Sequence, residues 1–146
     1  MNTHEIASRT SPAHGLTTLP GLRVGIDIAQ ISAVAESFAH FGERYTRRIF
    51  SDAEAAYAMQ VPAQAAQRLA ARFAAKEAAM KAFGLSEAGV SWRDIEVWRA
   101  ADGACSLVLH ARAAQWALRS GCHQFAVSLS HDGDYATAVV AAVASP

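Results

Sequence analysis

Between Pro62 and Gly84 the chain runs without a glycine or a proline, and alanine fills nearly half of the run. Alanine has the highest helix propensity, so this stretch predicts one long helix over Ala63–Phe83, stopped by Gly84. A helix this long and this small-sided can lie close against a neighbouring layer. Most of its charged residues are grouped in Arg72-Phe73-Ala74-Ala75-Lys76-Glu77-Ala78-Ala79-Met80-Lys81. Glu77 and Lys81 are four apart and share a face. Arg72 lies five before Glu77, displaced around the helix but within reach of a long side chain. Such a pair on a solvated face contributes only ~0.3–0.5 kcal/mol, so its meaning depends on what else the chain brings to it.

Upstream, Leu22-Arg23-Val24-Gly25-Ile26-Asp27-Ile28 alternates, with Leu22, Val24, Ile26 and Ile28 on one face and Asp27 on the other. This predicts a first strand. A helix follows over Ala29–Phe41, ended by Gly42. Tyr45–Phe50 is short and basic, with Arg44, Arg47 and Arg48 around it. Ser51-Asp52-Ala53-Glu54 is a capping box opening a further helix that ends before Pro62. Ser86–Ser91 reads as a loop. Ile95–Arg99 and Cys105–Leu109 are strands joined across Asp102-Gly103, and Ala111–Arg119 is a helix closed by Gly121. Phe125–Ser130 and Tyr135–Val143 are two last strands, linked by His131-Asp132-Gly133-Asp134. The order β-α-α-α-β-β-α-β-β predicts an α+β fold, an antiparallel sheet packed against the long helix.

At 146 residues, 52% of them hydrophobic, the chain suits one domain with a full core, residues 22–146. Residues 1–21, with Ser11, Pro12, Gly15 and Pro20, read as a flexible leader. Formal net charge is +0, which argues against a general nucleic-acid binder. No apolar run reaches the ~18 residues of a membrane span. Cys105 and Cys122 make neither a disulfide framework nor a zinc site and read as reduced thiols of a cytoplasmic protein.

Two carboxylates on separate elements, Asp27 and Glu77, can hold one Mg²⁺, which typically takes one or two carboxylates and completes its shell with water and phosphate oxygens. Arg72 and Lys81 would neutralise phosphate charge. That is equipment for attack at a pyrophosphate. In Val127-Ser128-Leu129-Ser130-His131-Asp132, a hydroxyl and an imidazole at a strand exit suit anionic oxygens better than a hydrolase triad, since no Gly-x-Ser-x-Gly elbow is present.

Taken in order, Gly25-Ile26-Asp27-Ile28, Arg47-Arg48-Ile49-Phe50-Ser51-Asp52-Ala53-Glu54, Arg72-Phe73-Ala74-Ala75-Lys76-Glu77-Ala78, Trp92-Arg93-Asp94-Ile95-Glu96-Val97 and Val127–Asp132 with Tyr135-Ala136 resemble the holo-acyl-carrier-protein synthases, the small-type 4′-phosphopantetheinyl transferases. The resemblance implies that family's fold and its reaction. The arm of coenzyme A passes to a serine of an acyl carrier protein, and adenosine 3′,5′-bisphosphate leaves. It implies a homotrimer with active sites between subunits. By the same resemblance Asp27 and Glu77 are magnesium ligands, and Lys81 lies near the diphosphate. Arg72, Ser130 and His131 bind the coenzyme, and Arg44 and Arg48 face the acidic carrier. Ala33 stands where family members often carry a basic residue, and Gly84–Gly89 replaces a more compact loop. These departures motivate the alternative of a transferase-like module that only docks carrier proteins.

Overall fold

The computed structural model describes residues 21–85 and 89–145; the predicted leader, apart from Gly21, and positions 86–88 of the predicted loop lie outside them. The chain runs β1 (Leu22–Gln30), α1 (Ile31–Phe41), α2 (Glu43–Ile49), α3 (Asp52–Met59), α4 (Ala65–Phe83), β2 (Ile95–Arg99), β3 (Cys105–Leu109), α5 (Ala111–Arg119), β4 (Cys122–Asp132) and β5 (Tyr135–Ala144). Short 3₁₀ turns at Pro62–Gln64 and Trp92–Asp94 precede α4 and β2. The α+β expectation holds. It missed one helix, α2, because the seven residues Glu43–Ile49 are too few to show a helical period. It also began α1 two residues early, since β1 continues through Ala29 and Gln30.

β1, β5 and β4 form one antiparallel sheet in that order, and β2 with β3 forms a separate hairpin. α4 crosses the inner face of the three-stranded sheet. The approach is close because both surfaces are small-sided: Ala74, Ala75, Ala78 and Ala79 are fully buried, facing a sheet that offers Gly25, Ala29, Ala136, Ala138 and Ala142. Gly25 marks the tightest point. A Cβ there would sit 1.9 Å from the Ala78 carbonyl oxygen, so no side chain fits.

The alternating apolar row of β1 therefore points outward. Leu22, Val24, Ile26 and Ile28 are 47–63% exposed, beside Val139 and Val143 of β5. The row that looked like a core face is a surface, and the Gly25–Asp27–Ala29 row faces α4.

Two local devices fix the frame. The capping box forms as read: Glu54 N–H donates to Ser51 Oγ at 3.1 Å, and Ser51 N–H donates to the Glu54 carboxylate at 2.9 Å. The start of α1 has no cap of its own and borrows one from the β4–β5 turn. The Ser32 N–H and hydroxyl donate to the Asp134 carboxylate at 2.9 and 2.5 Å, and the Ile31 N–H donates to the Asp134 carbonyl at 2.8 Å. These Ser32 bonds hold the Asp134 carboxyl below the usual aspartate range.

Candidate active site

β-strand alternation turns Asp27 inward toward α4. Lys81, in the last turn of α4, donates from Nζ to Asp27 Oδ1 at 3.0 Å and to the Ile26 carbonyl at 2.9 Å. The Thr137 hydroxyl donates to the Asp27 carbonyl at 2.8 Å and ties β1 to β5 at this point. Glu77, one turn before Lys81, completes the group. Partial burial raises its pKa first and the charge of Asp27 raises it further, with Lys81 opposing. Two carboxylates thus share one field, and Lys81 is the cation that acts on both among the described residues. Lys81 is half exposed, so its pair with Asp27 contributes about 1 kcal/mol or less and is readily rearranged. Among the described residues no group of three or more His, Cys, Asp or Glu forms. Asp27 and Glu77 are hard-oxygen donors, and a pair of carboxylates open to solvent and substrate oxygen fits Mg²⁺.

The other phosphate candidates stand further along the helix. Arg72 lies about 7.5 Å from Glu77 along the axis of α4. It is buried, its guanidinium stacked 4.2 Å from the centre of the Tyr57 ring, and burial lowers its pKa. His131 shares the inner face of the sheet with Ala136 and Ala29 and meets Gln67 of α4 at 3.0 Å. Arg72 and His131 line one cavity of about 290 Å³.

Ser130 is not in this group. It neighbours His131 in a strand, so it points through the opposite face of the sheet, across from Thr137 and in line with Ile28. Within one chain it is exposed on the outward apolar surface.

Arg44 and Arg48 are exposed on α2, with no ion pair among the described residues. They flank a cavity of about 440 Å³ walled by Phe41, Tyr45, Phe73 and Trp92. Phe73 is one helical turn before Glu77, so this basic, aromatic surface adjoins the carboxylate pair. Ala33 is exposed on α1.

Sequence reasoning passed over Lys76 and the depth of Glu54. Lys76 is fully buried, its ammonium 2.7 Å from the Glu54 carboxylate and donating also to the carbonyls of Trp92 and Ile95. Glu54 further accepts the Val97 N–H at 3.1 Å. The pair bolts α4 to α3 and β2 and so sets where Glu77 and Lys81 stand. Burial lowers the pKa of Lys76 and the Glu54 carboxylate opposes it. A signal was present: Leu69, Arg72, Lys76, Ala79 and Phe83 recur at three- and four-residue steps, which places Arg72 and Lys76 in a buried stripe.

Comparison with known proteins identifies the family across most of the chain. A family model described as the 4′-phosphopantetheinyl transferase superfamily matches residues 23–140. The holo-[acyl-carrier-protein] synthase of Koribacter versatilis is 46% identical over 120 residues, covering 82% of this chain and 95% of its own length. That of Moorella thermoacetica is 45% identical over 118 residues, covering 81% and 91%. Among solved structures, the synthase of Neisseria meningitidis superposes with a TM-score of 0.75 at 30% identity, covering 82% of this chain and 96% of that one. The ACPS–CoA complex of Chronobacterium ammoniagenes gives 0.74 at 32% identity, covering 86% and 98%. Similarity of this extent, over the elements that carry Asp27, Arg72, Glu77, Lys81 and His131, means that the chain belongs to the holo-acyl-carrier-protein synthase family of 4′-phosphopantetheinyl transferases.

Proposed function

We propose that the chain transfers 4′-phosphopantetheine from coenzyme A to a serine of an acyl carrier protein and releases adenosine 3′,5′-bisphosphate. The observation that carries this reading is the meeting of Asp27, Glu77 and Lys81 where β1 passes under α4, inside a family match that spans most of the chain. Relatives of the fold include a synthase complexed with coenzyme A.

In the reaction the serine oxygen forms a bond to the phosphorus bearing the pantetheine arm as its proton passes to a water held by Asp27 or Glu77, and the bond from that phosphorus to the bridging oxygen breaks. Asp27 and Glu77 would hold Mg²⁺. Bound there, the cation would neutralise the diphosphate and stabilise charge on the leaving phosphate. Lys81 supplies a mobile positive charge at the same place, and its ammonium can give a proton to the departing phosphate oxygen. Arg72 and His131 bind coenzyme phosphates further along α4. Arg44 and Arg48, with the aromatic cavity between them, receive an acidic carrier.

The outward apolar row of β1 and β5 supports assembly into a homotrimer. An exposed sheet face this apolar is costly in water and stable against another copy. Ser130 stands on this face, which in a trimer is turned toward a neighbouring subunit and away from its own Arg72. Among the described residues no helix is long and apolar enough to cross a membrane. With free thiols at Cys105 and Cys122, the reading is of a cytoplasmic enzyme.

The test is intact-protein mass spectrometry of apo carrier proteins incubated with the chain, coenzyme A and Mg²⁺. An added mass of about 340 Da on one serine is expected from the transfer of the arm. Unchanged masses across a broad panel of carriers overturn the reading in favour of a docking module.

A further inference from the structure

The thiol of Cys105 has no part in the chemistry above, yet β3 delivers it to the cavity that Arg72 and His131 share. In the hairpin Cys105 stands opposite Arg99, Leu107 opposite Val97 and Leu109 opposite Ile95. Ile95, Val97 and Leu107 are buried, so this row faces inward while Ser106 and Val108 face out. Cys105 and Arg99 are the last pair of the row, beside the turn. The Cys105 Sγ lies 3.8 Å from the Gly103 carbonyl oxygen, and the Arg99 guanidinium comes within 3.1 Å of where a Gly103 Cβ would stand. Thiol and guanidinium therefore meet at one glycine. Cys105 is half-buried there, whereas Cys122, the other free thiol, is 2% exposed.

The cavity around this thiol is rich in cation and poor in counter-charge. Arg68, Arg72 and Arg99 line it, and none of the three pairs with a carboxylate among the described residues. Arg72 is 5% exposed, and its buried Nε has no hydrogen-bond partner among the described residues. A buried donor left unmade is costly and calls for an acceptor. The thiol thus opens into a space that draws anions, where steering raises their local concentration and encounter rate. Thiol–disulfide exchange depends on such access, so an anionic disulfide is favoured over a neutral one at this sulfur.

Resting on the transferase reading for its consequence, we propose that Cys105 is a redox-modification site. It takes up a small anionic disulfide and, once capped, closes the cavity to the phosphates of the donor. The Cys105 sulfur attacks as the thiolate, and an S–S bond forms to one sulfur of the reagent. The reagent's own S–S bond breaks, and its other half leaves as a thiolate that takes up the proton Cys105 gave to solvent. The reagent is the oxidant, and one small thiol is released for each Cys105 capped. Carboxylates or phosphates carried in on the cap lie against guanidinium groups. Excess thiol reverses the exchange, so the enzyme falls silent under oxidising conditions and recovers on reduction.

The test uses the full reduced chain. Glutathione disulfide and coenzyme A disulfide are the anionic probes, bearing carboxylate and phosphate, and bis(2-hydroxyethyl) disulfide is the uncharged one. Intact mass and peptide mapping locate the modified cysteine, and each rate is divided by that of the urea-unfolded chain. Calorimetric titration with adenosine 3′,5′-bisphosphate reads the cavity without turnover. One glutathionyl group of about 305 Da is expected on Cys105 and none on Cys122. The anionic probes should react about tenfold or more faster than the uncharged one at low salt, the gap closing at high salt. The faster of the two anionic probes names the preferred anion. The capped chain should still melt cooperatively, bind the bisphosphate about a hundredfold more weakly, and recover with dithiothreitol. Cys105→Ser should bind it within about twofold of wild type, with or without disulfide. No mass on Cys105, equal normalised rates for charged and uncharged probes, or a capped chain that binds within about twofold of the reduced one overturns the proposal. So does a capped chain that loses affinity only together with its cooperative melt. A reduced chain that caps Cys105 with this charge preference, yet binds no bisphosphate and modifies no carrier, keeps the modification site and removes the transferase reading.

Discussion

Gly25→Ala probes the contact on which the candidate site depends. The added methyl would meet the Ala78 carbonyl oxygen at 1.9 Å and the Ala82 nitrogen at 2.8 Å, both backbone atoms of a helix that cannot rotate away. Carbon–oxygen contacts settle near ~3.3 Å, so α4 must retreat from β1 by about 1.4 Å. Overpacking of this kind costs about 1–3 kcal/mol of stability. For a domain of this size that is a fall in melting temperature of roughly 3–15 °C, leaving a folded protein. The functional loss should be larger. Gly25 lies two residues from Asp27, and Ala78 directly follows Glu77, so the retreat separates the two carboxylates. A displacement of about 1 Å at a reacting centre can cost ~10²-fold in rate. Carrier modification followed by mass spectrometry, alongside a thermal melt, should show kcat down about a hundredfold in a protein that still melts cooperatively. Turnover within about threefold of wild type would show that the spacing of β1 and α4 does not control the chemistry.

Three further outcomes follow from the same geometry. Lys76→Met leaves the buried Glu54 carboxylate without its cation, which should cost about 3–5 kcal/mol in urea denaturation; a loss below about 1 kcal/mol would contradict the buried-pair assignment. Glu77→Gln should abolish turnover and the thermal shift produced by Mg²⁺. The Glu77 pKa is raised on folding, so in the metal-free protein its ionisation opposes folding as pH rises above the ordinary glutamate range. Glu77→Gln without metal should therefore melt no lower than wild type at neutral pH, and a lower melt would mean that Glu77 is a structural residue. Ile26→Asp, on a side chain already 60% exposed, should reduce the solution mass measured by light scattering to that of a monomer; an unchanged mass would place the oligomer contact elsewhere.

Much of this was legible in the sequence. The alanine run, the capping box and the turn glycines placed most of the elements. Asp27, Glu77 and Lys81 meet because the strand and helix that carry them pack together. What was not legible has physical reasons. Alternation in β1 shows two faces but not which one turns inward; that is decided by Gly25 and by the alanines of α4, which favour close approach over bulk. Ser130 and His131 are adjacent in the chain and were read as one phosphate site, yet a strand sends neighbours to opposite faces, so only His131 stands with Arg72. The guanidinium groups of Arg68 on α4 and Arg99 on β2 both lie over the ring of Tyr57 on α3, a convergence of three elements that no spacing encodes.

The central claim is that the diphosphate of coenzyme A is broken at Asp27 and Glu77 only when a carrier serine takes the arm. Quantifying released adenosine 3′,5′-bisphosphate against modified carrier, with Mg²⁺ or with a chelator, tests this directly. The account predicts equal amounts of the two products with Mg²⁺, none of either with chelator, and none in Asp27→Asn. Bisphosphate released without a carrier, or full turnover by Asp27→Asn, would contradict it.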